Sequence, residues 1–79
     1  MAFTIIVQND GDDGTIEVNE RLNLNQTIQV FNDTIEAGGT RQVACQGTAP
    51  KDFTWVHRAS NLSGGPESKG NGDVLRVDS

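Results

Sequence analysis

The chain is short, acidic and poor in cysteine, and these properties exclude several classes of function. Its 79 residues make one domain with room for one core. A net charge of −5, with six scattered Lys and Arg residues, argues against binding to nucleic acid or to an anionic membrane surface. With a single Cys, no signal peptide and no membrane span, we expect a cytoplasmic protein, or one whose location the sequence leaves unknown.

Apolar and polar residues alternate along most of the chain, which predicts strands. The alternation starts at Phe3, Ile5 and Val7, and turn formers such as Asp-Gly and Gly-Gly separate the later runs. The sequence therefore predicts an all-β fold of six or seven short strands over residues 1–79, as a small antiparallel sandwich or a small barrel. The other alternating runs cover residues 15–19, 22–24, 28–31, 40–45, 53–58 and 75–77.

The acidic stretch Asn9–Glu20, NDGDDGTIEVNE, has two interpretations. Aligned on the calcium-loop consensus, Asn9, Asp13, Glu17 and Glu20 take the first, fifth, ninth and twelfth places. However, Gly11 stands where the third-place ligand belongs, and strand-like sequence flanks the stretch. We therefore predict a tight hairpin whose Asp-Gly pairs supply positive φ angles, with calcium as the less favoured alternative and no other cofactor.

The segment 35–56, IEAGGTRQVACQGTAPKDFTWV, resembles the B–C strand region of an immunoglobulin-like domain. In that region a glycine turn leads to a strand with a buried cysteine, and a core tryptophan follows. Cys45 and Trp55 stand at such a spacing, although no second cysteine and no tyrosine corner follows. The resemblance implies a Greek-key, immunoglobulin-like sandwich with both residues inside.

Residues 59–72, ASNLSGGPESKGNG, predict a long Gly/Ser-rich loop, either mobile or functional. Trp55, His57, Arg58 and Asn61 lie within or just before this loop and are the candidate ligand-binding residues. For Trp55 the alternative is a core position, whereas we expect His57 and Arg58 to be exposed. A Cys45–His57 nucleophile is disfavoured, because a lone cysteine on a strand is usually a small core residue, and no enzyme is predicted.

Three functions remain as hypotheses. The first is a non-catalytic binding module that recognises a glycan or a protein through loops at one end of the sandwich. The second is a small acidic inhibitor or immunity-type protein that blocks a basic site on a partner. The third is an assembly protein, a homo-oligomer included, that pairs through exposed strand edges such as Phe3–Val7.

Overall fold

The protein is an all-β sandwich in the computed structural model, which describes residues 2–79. This confirms the predicted fold class, and the alternation of apolar residues is its physical cause. The seven strands are β1 (Thr4–Asn9), β2 (Gly14–Asn23), β3 (Gln26–Ile35), β4 (Thr40–Ala44), β5 (Lys51–His57), β6 (Leu62–Lys69) and β7 (Val74–Val77).

The strands form two sheets, one of three strands in the order β4-β1-β7 and one of four in the order β3-β2-β5-β6. All pairs are antiparallel except β1 with β7, which run parallel. Strand β1 is thus the central strand of its sheet. The predicted free edge at Phe3–Val7 is wrong, because β4 and β7 use the hydrogen-bonding groups on both sides of this strand.

The core lies between the two sheets and follows the predicted alternation. On β5, for example, Phe53, Trp55 and His57 point inward and the residues between them point outward. Phe3 from the three-stranded sheet meets Phe53 edge-to-face at a centroid distance of 6.1 Å. The buried apolar residues are Phe3, Ile5, Val7, Ile16, Val18, Ile35, Val43, Cys45, Phe53, Trp55, Leu75 and Val77.

The turn between β1 and β2 is not a hairpin, and that prediction is wrong. These strands belong to different sheets, so residues 10–13 carry the chain across the sandwich. The positive φ angles expected of the Asp-Gly pairs occur instead at Gly38, Gly65 and Gly72. Hydrophobic alternation was right for both strands, but it does not tell which strands pair.

The predicted loop at 59–72 is also wrong, because residues 62–69 form strand β6 at the edge of the four-stranded sheet. Most β6 side chains are exposed, so the segment has no hydrophobic alternation to reveal it. Gly64 packs directly on the indole of Trp55, where a Cβ atom would lie 2.5 Å from Cε2. The glycine that suggested a loop is required for this close packing.

The strand order differs from that of the immunoglobulin constant domain. That domain holds its first, second, fifth and fourth strands in one sheet and the other three in the second sheet. Here the four-stranded sheet contains the third, second, fifth and sixth strands. Cys45, just after β4, and Trp55, on β5, do enter one core from opposite sheets, as the resemblance implies.

Candidate functional site

The four residues predicted to bind a ligand do not form one surface. Trp55 is only 6% exposed and belongs to the core, so it provides no stacking platform. Its Nε1 is buried and has no hydrogen-bond partner within residues 2–79. Trp55 is therefore a core residue, which was the alternative interpretation of its sequence position.

His57 is completely buried, contrary to the expectation that it would be exposed. Its Nε2 lies 2.7 Å from the carbonyl oxygen of Asp12. Because a carbonyl can only accept, Nε2 carries the proton and donates it, and Nδ1 is left without a partner in the described part of the chain. The imidazole ties the 10–13 crossover to the four-stranded sheet, which is a structural role.

Arg58 and Asn61 are exposed but have local roles. The Nε of Arg58 pairs with Oε2 of Glu17 at 2.8 Å. Asn61 adopts a left-handed conformation, with φ of 59°, in the turn between β5 and β6. Arg58 and Asn61 thus lie at the surface, whereas Trp55 and His57 lie in the interior.

Cys45 is a buried thiol with little chemical reactivity. Burial, and then the negative charge of Glu20, raise its pKa to about 11. The thiol is therefore protonated at neutral pH, whereas a nucleophile needs the thiolate. The structure places Cys45 in the apolar core.

The four residues of the calcium interpretation point to separate places. Asn9 is buried, and its amide donates to the carbonyl oxygens of Asp12 and Ile35. The Asp13 carboxylate accepts from the amide of Ala37. Among residues 2–79, no group of three or more His, Cys, Asp or Glu side chains is arranged to hold a metal ion.

The two glutamates of that interpretation sit on opposite faces of β2. Glu17 points outward to Arg58. Glu20 is completely buried, and its two oxygens accept hydrogen bonds of 2.8 Å from the amides of Gln46 and Gly47. Glu20 thus caps the loop after β4, a role that the sequence did not suggest.

On one half of the outer face of the four-stranded sheet, polar side chains form hydrogen bonds or ion pairs with one another. Glu17 is central there, because it accepts from Gln29 Nε2 at 3.0 Å and pairs with Arg58. Thr15 and Thr34 approach each other at 3.4 Å between their hydroxyl oxygens. We call these five residues the paired half.

The other half of this outer face, the open half, is formed by Asn19, Arg21, Thr27, Asp52 and Thr54. Asn19 faces Thr54 across the β2–β5 pair, and Arg21 faces Asp52. Arg21 makes one long contact, from Nη2 to the carbonyl oxygen of Leu24 at 3.4 Å. Within residues 2–79 the side chains of the other four have no hydrogen-bond or ion-pair partner. Their donors and acceptors are therefore available to a ligand.

The open half lines a hollow of about 390 Å³. Leu24, at the β2–β3 turn, and Pro66, on β6, add apolar contacts at its margin. Leu24 is 84% exposed, so its side chain is accessible to a ligand. The full lining is Asn19, Arg21, Leu24, Asn25, Thr27, Asp52, Thr54 and Pro66.

A second hollow, also of about 390 Å³, adjoins the first. The two share Arg21, Leu24 and Asp52, so together they make one groove that passes the β2–β3 turn. Leu22, Asn23, Pro50 and Lys51 complete the second hollow. Alternation in β2 and β5 marks Asn19, Arg21, Asp52 and Thr54 as outward-facing, but only the adjacency of these strands brings them together.

Comparisons with known proteins give no relative for this chain. Searches of protein-family models, curated proteins and solved structures each found no match. Residues 2–79 contain no helix long and apolar enough to cross a membrane. The site is therefore interpreted from its own geometry.

Proposed function

We propose that the protein is a non-catalytic binding module that holds a glycan in the groove on the outer face of its four-stranded sheet. The observation that carries this proposal is the set of unpaired polar side chains around the first hollow. On the same face, by contrast, Glu17 of the paired half is bound by Arg58 at 2.8 Å and by Gln29 at 3.0 Å. The site differs from the sequence-based hypothesis, which placed the ligand on loops at one end of the sandwich.

The chemistry of the open half favours a ligand rich in hydroxyl groups. Asn19 offers an amide donor and an amide acceptor, and the hydroxyls of Thr27 and Thr54 both donate and accept. A sugar hydroxyl has the same dual capacity, so it can match each of these groups. Leu24 and Pro66 can cover the apolar C–H surface of a sugar ring. A volume of about 390 Å³ lies within the ordinary range for small-ligand sites.

A glycan array with matched variants tests the proposal. We expect Asn19→Ala and Thr54→Val to weaken binding of the array ligand by about tenfold each, because each removes one or two hydrogen bonds to it. The control is Gln29→Ala in the paired half, which alters the same sheet face outside the hollow and is expected to leave binding unchanged. Equal loss in all three variants, or no bound glycan, contradicts the proposal.

A second candidate function is the acidic inhibitor, which one feature of the structure favours. The 10–13 crossover, the β3–β4 turn and the end of β7 meet at one end of the sandwich, linked by Asp13 to Ala37 and by Asp12 to Ser79. This end carries the carboxylates of Asp10, Asp12, Asp13, Glu36 and Asp78, of which Asp10 and Glu36 are paired with Arg76 and Arg41. An inhibitor that uses this end should associate with its basic partner more slowly as salt rises, whereas binding of a neutral glycan in the groove should change little.

A further inference from the structure

The six basic side chains of the protein fall into two groups. Four of them form ion pairs with N–O distances between 2.8 and 3.5 Å: Arg41 with Glu36, Arg58 with Glu17, Lys69 with Glu67, and Arg76 with Asp10. Arg21 and Lys51 form none with the described residues. Both line the second hollow. In a chain of net charge −5, the two cations without a carboxylate partner thus lie at one place.

The packing around Lys51 accommodates its long side chain. A Cβ atom on Gly47 would lie 2.6 Å from Cε of Lys51 and 2.9 Å from Oε2 of Glu20, so the lysine stem passes close over this glycine. Glu20, close by, gives its two carboxylate oxygens to the amides of Gln46 and Gly47. Although Glu20 is near, no ion pair of Lys51 exists among residues 2–79, so its ammonium is available to an external anion.

We propose that the second hollow binds an anionic group, and that the ligand of the groove is an acidic oligosaccharide. This inference rests on the proposed glycan binding and adds the charge of the ligand. Arg21 and Lys51 bind the carboxylate or sulfate of one sugar unit, while the first hollow holds a neighbouring unit through Asn19 and Thr54. Because the hollows share Arg21, Leu24 and Asp52, one oligosaccharide can occupy both.

The Asp52 carboxylate weakens anion binding in the second hollow, and removing its charge should have a measurable effect on affinity. Its carboxylate lines both hollows and faces Arg21 across the strands, without an ion pair to it. It therefore repels an anion in the second hollow while accepting hydroxyl donors in the first. Asp52→Asn removes the repulsion and keeps an acceptor, so this variant should bind the acidic ligand about threefold more tightly.

The test compares uronic-acid oligosaccharides with their carboxyl-reduced counterparts on one array, since the two differ only where a neutral hydroxymethyl group replaces the carboxylate. We expect the acidic form to bind the unchanged protein about tenfold more tightly. Lys51→Gln and Arg21→Gln should abolish that preference. The matched control is Lys69→Gln, because Lys69 is the cross-strand neighbour of Lys51 but is paired with Glu67.

The outcomes separate the two proposals. Equal binding of acidic and reduced glycans, or a preference that survives Lys51→Gln and Arg21→Gln, overturns the acidic ligand and leaves glycan binding in place. Equal binding of poly-glutamate at the same residues also overturns it, in favour of an acidic peptide. If no glycan binds, the proposed function fails, and titration with free glucuronate followed by NMR decides the anion site. Changes in the NMR chemical shifts of Arg21 and Lys51 then support the anion site, and the absence of such changes overturns it.

Discussion

Polar side chains on the two faces of the four-stranded sheet differ in whether they have hydrogen-bond partners within the described chain. On the inner face, Glu20 and His57 are completely buried and bind backbone amides or a carbonyl from other segments. On the outer face, Asn19, Asp52 and Thr54 are partly accessible and bind nothing in the described chain. Polar residues of the inner face therefore hold loops in place, whereas those of the open half are available for recognition.

This difference predicts that substitutions on the two faces have separate effects. Inner-face changes should lower the free energy of unfolding, because buried partners lose hydrogen bonds. Open-half changes should alter binding and leave stability nearly unchanged.

The largest effect is expected from Glu20→Gln. The substituted amide keeps one acceptor but turns an N–H₂ group toward one of the two backbone donors at Gln46 and Gly47. Leaving that partly buried donor unsatisfied, together with the loss of a charge-assisted hydrogen bond, should cost about 2–4 kcal/mol of unfolding free energy in a urea titration. Glu17→Gln, on the outer face of the same strand, is the control and should cost about 0.5 kcal/mol or less. Similar costs for both variants would contradict the assigned role of Glu20.

A smaller effect is expected from Gly64→Ala. The new methyl group would lie 2.5 Å from Cε2 and 2.8 Å from Nε1 of Trp55, so the indole must shift. We expect a loss of about 1–3 kcal/mol and a change in tryptophan fluorescence. At Gly70 the nearest atom to a Cβ is 3.5 Å away, and Gly70→Ala is the matched control with no expected loss. An unchanged emission spectrum in Gly64→Ala would show that β6 does not pack on the indole.

Cys45 should make stability fall at high pH. Its pKa in the folded protein is raised to about 11, whereas an unfolded thiol titrates near pH 8.5. Below the pKa of the unfolded thiol, Cys45 is protonated in both the folded and the unfolded state, and its full contribution to the stability of the fold is present. As pH rises toward 11, the unfolded state loses its proton first, so stability declines. The melting temperature of the unchanged protein should therefore fall more steeply over this range than that of Cys45→Ala. If the melting temperatures of the two proteins fell in parallel with rising pH, the raised pKa of Cys45 would be contradicted.

The smallest effect on stability is expected from the open half. Asn19→Ala and Thr54→Val remove no hydrogen bond inside the described chain, so each should change the unfolding free energy by about 0.5 kcal/mol or less. Both variants are expected to lose ligand affinity all the same. Chemical denaturation and binding measured on the same preparations check this separation. A large loss of stability in either variant would remove the distinction between the two faces.

Short-range patterns predicted the strands and the inward-facing residues, but not how the strands are arranged. Alternation identified Ile16, Val18, Phe53 and Trp55 as inner residues, because a strand with one buried face has a period of two. It missed β6, whose edge position leaves most side chains exposed. The Asp-Gly turn signal gave the wrong partner for β1, because a short turn can also carry the chain from one sheet to the other, and alternation does not show which strands are neighbours.

The candidate site was harder to predict for the same reason. The sequence drew attention to Trp55 and His57, whose residue types are common in binding sites, but their inward direction makes them core residues. The groove depends on which polar side chains lack partners, and this follows from the β2–β5 register. The pairing of Arg58 with Glu17, and the absence of such a pairing for Lys51 within residues 2–79, becomes visible only in three dimensions.

The central position of β1 has a consequence for how the molecule reaches its native state. Ile6 lies beside Gln42 on one side and Val74 on the other, so its sheet closes only when segments far apart in the chain meet. Proteins dominated by such distant contacts fold in about milliseconds to seconds, far more slowly than helical bundles of similar size. During synthesis, the backbone groups on one edge of β1 therefore have no strand partner until β7 has been made and has paired with it.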